Sequence, residues 1–216
     1  MKERIAKALL DIEAVFLRPD DPFTWASGIR SPIYCDNRII LSYPAVRKQV
    51  EHGLAELICE HYPRCELLAG TATAGIAHAA LIADILELPM AYVRASAKEH
   101  GRKNCIEGRV SPGQRVVVIE DLISTAGSVV DVVGHLRDAG AQVLGVASIF
   151  TYGMQRGLDR LSQAQVRNVS LTDFETLGQV AAREGYISET DIARLTAFQQ
   201  NPSDDGWMRA SDAGAD

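Results

Sequence analysis

Cysteine is sparse in this chain and badly placed for cross-linking. Cys35, Cys59, Cys65 and Cys105 are scattered without a CxxC pair. That spacing excludes a zinc ribbon or a disulfide framework and reads as reduced cytosolic thiols. His52, His61, His78, His100 and His135 show no HExxH or similar ligand spacing, so no metal centre built from side chains is expected. Long hydrophobic runs are missing as well. Nothing approaches membrane-spanning length, and residues 1–14 form a charged amphipathic stretch rather than a signal peptide. Positive charge is not in excess. A net charge of −6 gives a nucleic-acid partner no bulk electrostatic support. No internal repeat is evident. These absences point to a cytoplasmic protein without nucleic-acid or membrane partners. The 216 residues suit one ordinary domain, and 47% hydrophobic with 23% charged residues is a soluble, core-forming composition.

What is present centres on residues 115–128, RVVVIEDLISTAGS. Val116, Val117, Val118 and Ile119, with Leu122 close behind, bracket the acidic pair Glu120–Asp121. An apolar, β-branched run of this kind predicts a buried parallel strand. Val129, Val130, Val133 and Leu136 follow at helical spacing. The unit is therefore strand, loop, helix. Carboxylates stand at the strand's C-terminal end, and Ser124, Thr125, Ala126, Gly127 and Ser128 open the helix. Such a loop offers backbone N–H groups and hydroxyls to an anion. No lysine follows its glycine, and it is not GxGxxG, so it is neither a Walker loop nor a dinucleotide fingerprint.

A second unit, CELLAGTATAGIAHAALIADIL, repeats the arrangement with Gly70, Thr71, Ala72, Thr73, Ala74 and Gly75 between strand and helix. Small residues let a ligand approach the backbone, although a tight packing turn would use them too. Two such loops at the ends of parallel strands favour the ligand reading, and their separation suits a substrate with two phosphate groups. Between the two units, residues 94–108 are polar and carry Arg94, Lys98, His100, Arg102 and Lys103. A charge run is usually a solvated surface loop, but Gly101 and Gly108 suit a lid and the cations suit a pyrophosphate.

The remaining pattern is alternating. A helical stripe covers Glu3 to about Phe16, and two prolines break the chain at residues 17–23. Residues 23–37, FTWASGIRSPIYCDN, read as a hairpin or hood-like flap. Helix returns from Ser42 or Tyr43 to about His61, with Val46, Val50, Leu54, Leu57 and Ile58 on one face. Further strands are expected at 90–93 and 143–150, and helices near 155–164, 171–184 and 189–199. Strand–helix alternation over 67–150 argues an α/β fold with a mostly parallel sheet and helices on both faces. Residues 1–200 are expected as a single domain, with a hood at about 16–40 and a core at about 42–200. The acidic segment 201–216 is expected as a mobile tail.

VVVIEDLISTAGS resembles the phosphoribosyl-pyrophosphate (PRPP) signature of type I phosphoribosyltransferases. FTWASGIRSPIYCDNR, VRASAKEHGRKNCIEG and VVVIEDLISTAGS, in that order, resemble the orotate phosphoribosyltransferase family. The resemblance covers roughly residues 16–153 and implies the type I phosphoribosyltransferase fold, a central sheet with a small N-terminal hood. It implies transfer of ribose 5-phosphate from PRPP to orotate in pyrimidine biosynthesis, with Mg²⁺ as cofactor, held mainly by PRPP and water. It also implies a homodimer in which the 94–108 loop crosses the interface. By the same resemblance Lys98, Glu120 and Asp121 are the catalytic residues. PRPP is held by Arg94, Lys98, His100 and the stretch Glu120, Asp121, Leu122, Ile123, Ser124, Thr125, Ala126, Gly127 and Ser128, with Thr71 and Ala72 on the second loop. Orotate is met by Ser124 and by hood residues Phe23, Ser27, Tyr34 and Cys35. Arg38 is added as a carboxylate partner chiefly on its charge. The chain departs from the family pattern where lysines are usual, at Ala26, Ala74 and Ala95, and at Tyr152, where an arginine is usual. Transferases for another base and non-catalytic PRPP sensors remain as alternatives.

Overall fold

In the computed structural model, which describes residues 1–25, 28–94 and 105–209, the chain opens with α1 (Lys2–Asp11). Four short strands come next, β1 (Val15–Leu17), β2 (Phe23–Thr24), β3 (Arg30–Ser31) and β4 (Ile33–Cys35). A 3-10 turn (Asn37–Ser42) leads into α2 (Pro44–His61). Then come β5 (Leu67–Thr71), α3 (Ala74–Leu86), β6 (Met90–Val93) and β7 (Ile106–Glu107), succeeded by β8 (Arg115–Ile123) and α4 (Gly127–Asp138). The chain continues with β9 (Gln142–Thr151), α5 (Gln155–Gln163), β10 (Asn168–Asp173), α6 (Phe174–Arg183), α7 (Asp191–Gln200) and a final 3-10 turn (Asp205–Arg209).

Six strands form the central sheet in the order β10-β9-β8-β5-β6-β7. All neighbours are parallel except β6 and β7, which are antiparallel. Val116, Val117, Val118 and Ile119 on β8 are all fully buried because the sheet is covered on both faces. Val117 and Ile119 join one core with α1, α2, α3 and α6, while Val116 and Val118 join the other with α4 and α5. An uninterrupted apolar run is what a strand with two buried faces requires. The hood is made of two small antiparallel pairs, β1 with β4 and the hairpin β2 with β3.

Three boundaries differ from the sequence expectation. The first helix stops at Asp11 rather than Phe16, because Glu13 adopts a left-handed φ of 57° and turns the chain so that Val15 pairs with Cys35. Leu171 is not helical. It lies on edge strand β10, and the helix starts at Phe174 because Asp173 caps it, its carboxylate accepting from the Thr176 amide at 2.8 Å. The segment after Gln200 is not wholly a tail, since Trp207 in the last 3-10 turn is only 2% exposed and packs on Phe198. Residues 210–216 lie outside the described residues.

Candidate active site

Parallel strands β5 and β8 end side by side, and each passes through a loop of small residues into a helix. On β8 the strand runs through the acidic pair to Ile123, so Leu122 and Ile123 are strand residues whose side chains pack into the two cores. The loop proper, expected to bind an anion, is therefore short, residues 124–128. Ala126 takes a left-handed φ of 58° there, turning the chain into α4 and leaving the first-turn amides of Gly127 and Ser128 at the helix N-terminus.

Two features under this loop were not foreseen. Arg160 of α5 donates from Nη1 to the Thr125 carbonyl at 3.0 Å and meets its hydroxyl at 3.3 Å. Gly157, one turn earlier, lies so close beneath the Ser124 carbonyl that a Cβ would collide with it. Helix α5 is thus the floor of the loop. The one sequence sign was a glycine inside a helix, where it is costly unless something approaches closely.

On the β5 side, Gly75 does the equivalent work. A Cβ there would run into the Ile119 carbonyl, so glycine lets the start of α3 press against β8. The Ala72 amide donates to the Val93 carbonyl at 2.9 Å, and the Ala72–Thr73 peptide is cis. Arg94, at the end of β6, pairs through Nε with Glu107 at 3.2 Å. A cavity of about 330 Å³ is lined by Thr71, Ala72, Arg94, Gly127, Ser128 and His135, among others. It joins the two loops and one expected cation in a single space. Lys98 and His100 lie outside the described residues, as do Ala26, Ser27 and Ala95.

The acidic pair is asymmetric. Glu120 is 4% exposed, and its Oε1 accepts the Asp121 amide at 3.0 Å. Its Oε2 is buried without a partner among the described residues, and the Thr71 hydroxyl on neighbouring β5 lies outside hydrogen-bond geometry. Burial, reinforced by the Asp121 carboxylate beside it, pushes Glu120 up to about 9. At neutral pH Glu120 is a neutral carboxyl, able to donate as well as accept. Asp121 beside it is half-buried. Its backbone carbonyl receives a 2.7 Å hydrogen bond from Asn37 Nδ2, which ties the hood's end to the tip of β8. Asn37 is 1% exposed.

Around Asp121 the hood supplies an aromatic and polar wall. Phe23 and Tyr34 pack with ring centroids 5.6 Å apart. Cys35 is close enough to Asp121 and Asp36 that both carboxylates add to the effect of burial in pushing its thiol pKa up, so it stays protonated. Arg38 is at the same rim, but Asp36 already grips it, Nε to Oδ1 and Nη2 to Oδ2, each at 2.7 Å. The expected carboxylate partner thus has an internal carboxylate on its bidentate edge. Tyr152 is 3% exposed and takes part in an aromatic cluster instead of supplying a cation, stacking on Phe174 at 5.8 Å.

A family model described as the phosphoribosyl transferase domain matches residues 38–181. A Bacillus cytotoxicus protein named orotate phosphoribosyltransferase is 55% identical over 210 residues, which cover 97% of this chain and all of that one. The chain belongs to the orotate phosphoribosyltransferases. An orotate phosphoribosyltransferase structure from Aeropyrum pernix superposes with a TM-score of 0.73 at 30% identity, covering 85% of this chain and 99% of that one. Leishmania donovani UMP synthase gives 0.78 at 29% identity, over 91% of this chain but only 42% of that longer protein. For an orotate phosphoribosyltransferase, the family-wide match from residue 38 onward holds both loops and the acidic pair, while most of the hood precedes it.

Proposed function

We propose that this chain transfers ribose 5-phosphate from PRPP to N1 of orotate, giving orotidine 5′-monophosphate and pyrophosphate, as a step of pyrimidine synthesis in the cytoplasm. The observation that carries the reading is that two loops of small residues and Arg94 share one cavity at the ends of β5 and β8, with the acidic pair of β8 tied to the end of the hood through Asn37. The 124–128 loop and the N-terminus of α4 hold the 5′-phosphate. The 71–75 loop and Arg94, with Lys98 and His100, hold the pyrophosphate. Phe23, Tyr34, Cys35 and Ser124 face the base, and Arg38 stands at its rim.

The C1′–O bond to pyrophosphate breaks, its electron pair leaving with the pyrophosphate, and the C1′–N1 bond forms as the N1 proton passes to the departing pyrophosphate. Positive charge grows at C1′ in between. No nucleophilic side chain is needed, so catalysis is positioning plus electrostatics. Asp121 supplies negative charge near the cationic centre. Glu120, neutral and buried, orients a ribose hydroxyl by donating or accepting. Among the described residues no cluster of three His, Cys, Asp or Glu could cage a metal. Of the acidic pair, Asp121 alone offers a charged carboxylate, too few donors to cage a metal, which fits a Mg²⁺ that would keep its water shell and come with the substrate. When bound, Mg²⁺ supplies charge neutralisation on the leaving pyrophosphate.

Lys98 acts, in this reading, in the active site of a second subunit of a homodimer. Lys98→Ala should lower kcat by about 10²–10³-fold, the usual loss when one charge-stabilising donor is removed from such a site. Mixing inactive Lys98→Ala and Asp121→Ala subunits should restore activity, because each heterodimer regains one intact site. Mixtures that stay inactive would refute the shared site.

A further inference from the structure

The family-wide match ends at residue 181, so α7 and the last 3-10 turn lie outside it, as does most of the hood at the other end of the chain. These two extremes meet in space. Trp25, at the tip of the hood hairpin, packs edge-on against Phe198 of α7 and against Tyr152, each at 5.8 Å. Phe198 is in turn capped by Trp207 at 5.8 Å. Arg194, one helical turn before Phe198 and only 5% exposed, donates to Asp20 Oδ1 at 2.6 Å and to the Pro19 carbonyl, both in the segment entering the hood. Its guanidinium lies 5.9 Å from the Trp207 ring centre, and Asp191 holds it from behind at 3.0 Å. Gln199 Nε2 donates to the Tyr152 carbonyl at 2.6 Å, at the end of β9.

Helix α7 therefore grips the entry to the hood, the tip of the hood, and the strand end beneath it. We propose that α7 and the terminal turn are the buttress that sets the hood's position over the base, with Trp207, Phe198 and Arg194 as positioning residues for base recognition. The base-specific half of the enzyme is then a composite of both chain ends, laid across a phosphate-handling core. This rests on the reading of the hood as the base cover. Trp207 does not line the cavity between the two loops, so its effect should fall on the base alone. At the hood tip the packing is through rings, so aromatic shape at 198 and 207 matters more there than polarity.

The test is steady-state kinetics of the full chain carrying Trp207→Ala, Trp207→Phe and, in parallel, Tyr34→Ala in the hood itself. Trp207→Ala should raise KM for orotate by about tenfold with KM for PRPP little changed, and Trp207→Phe should restore it, since small displacements of a positioning element act selectively. Equal losses toward both substrates, or no loss while Tyr34→Ala raises the orotate KM, would overturn the buttress. If Tyr34→Ala also leaves orotate untouched, the hood reading itself has failed and takes the buttress with it. Should Trp207→Ala not fold, a second route exists. The chain has two tryptophans, so Trp207→Phe leaves Trp25 as the sole tryptophan emitter. Adding Phe198→Leu to that variant should shift Trp25 emission in the free enzyme and raise the orotate KM. An unchanged spectrum and KM would reject the proposal.

Discussion

Glu120 shows how burial changes what a residue can do. Its position at the end of an apolar strand is plain in the sequence, but its neutrality is not, because that depends on the cover from α3, β5 and Asp121. Its pKa of about 9 lies above the ordinary 4.5, so the native state keeps a proton that the unfolded state releases. Stability must fall as pH rises through the window between those values. Glu120→Gln removes this pH dependence. Its melting temperature should gain on wild type as pH rises from 5 to about 9 and match wild type below about pH 4.5. A pH-independent difference would show that Glu120 is already ionised. Arg160 makes a second case. Arg160→Ala removes a charged hydrogen bond from the Thr125 carbonyl, costing about 1–3 kcal/mol of stability. It should raise the KM for PRPP while the orotate KM holds, and Arg160→Lys should recover part of the loss. Equal effects on both substrates would deny Arg160 a role specific to the phosphate loop.

Among the elements, those with a strong single signal were legible. The run at Val116, Val117, Val118 and Ile119 identified β8, and α2, β6 and α5 fell within a residue or two of expectation. Strand β10 was hidden because Leu171, Phe174 and Leu177 continue a helical spacing across a strand–helix junction. The polar side of that strand is satisfied by Ser148, whose hydroxyl meets Asn168 at 3.0 Å and Ser170 at 2.7 Å. Such pairing partners are invisible in a local window. Strand β7 was missed for its brevity, though it returns the chain to β6 by pairing with Tyr92 and Val93. The site was legible as two loops and a hood, but not the bond that joins them. Asn37 reaches Asp121 across 84 residues of sequence. Asn37→Ala should cost about 1 kcal/mol, since a half-buried carbonyl loses its donor, and should lower activity with orotate. Thermal unfolding and turnover measured together check both; a variant as stable and active as wild type would make the contact incidental.

The whole molecule divides its work by position. A two-faced sheet fixes the ends of β5 and β8 so that two loops of small residues sit side by side, and the two ends of the chain meet where Trp25 packs on Phe198. Composition pointed to one ordinary globular domain, and strand–helix alternation made it α/β. Neither could reveal that residues near 25 and 200 touch, because nothing periodic links them. The buried Trp207 is the clearest instance, standing in an acidic, small-residue segment that reads as tail. The most direct measurement is loss of the orotate absorbance band when the protein is mixed with PRPP, Mg²⁺ and orotate, with uracil and hypoxanthine run in parallel. The expected result is turnover confined to orotate and abolished by Asp121→Ala. PRPP binding without turnover, or equal turnover of another base, would contradict the assignment of this site.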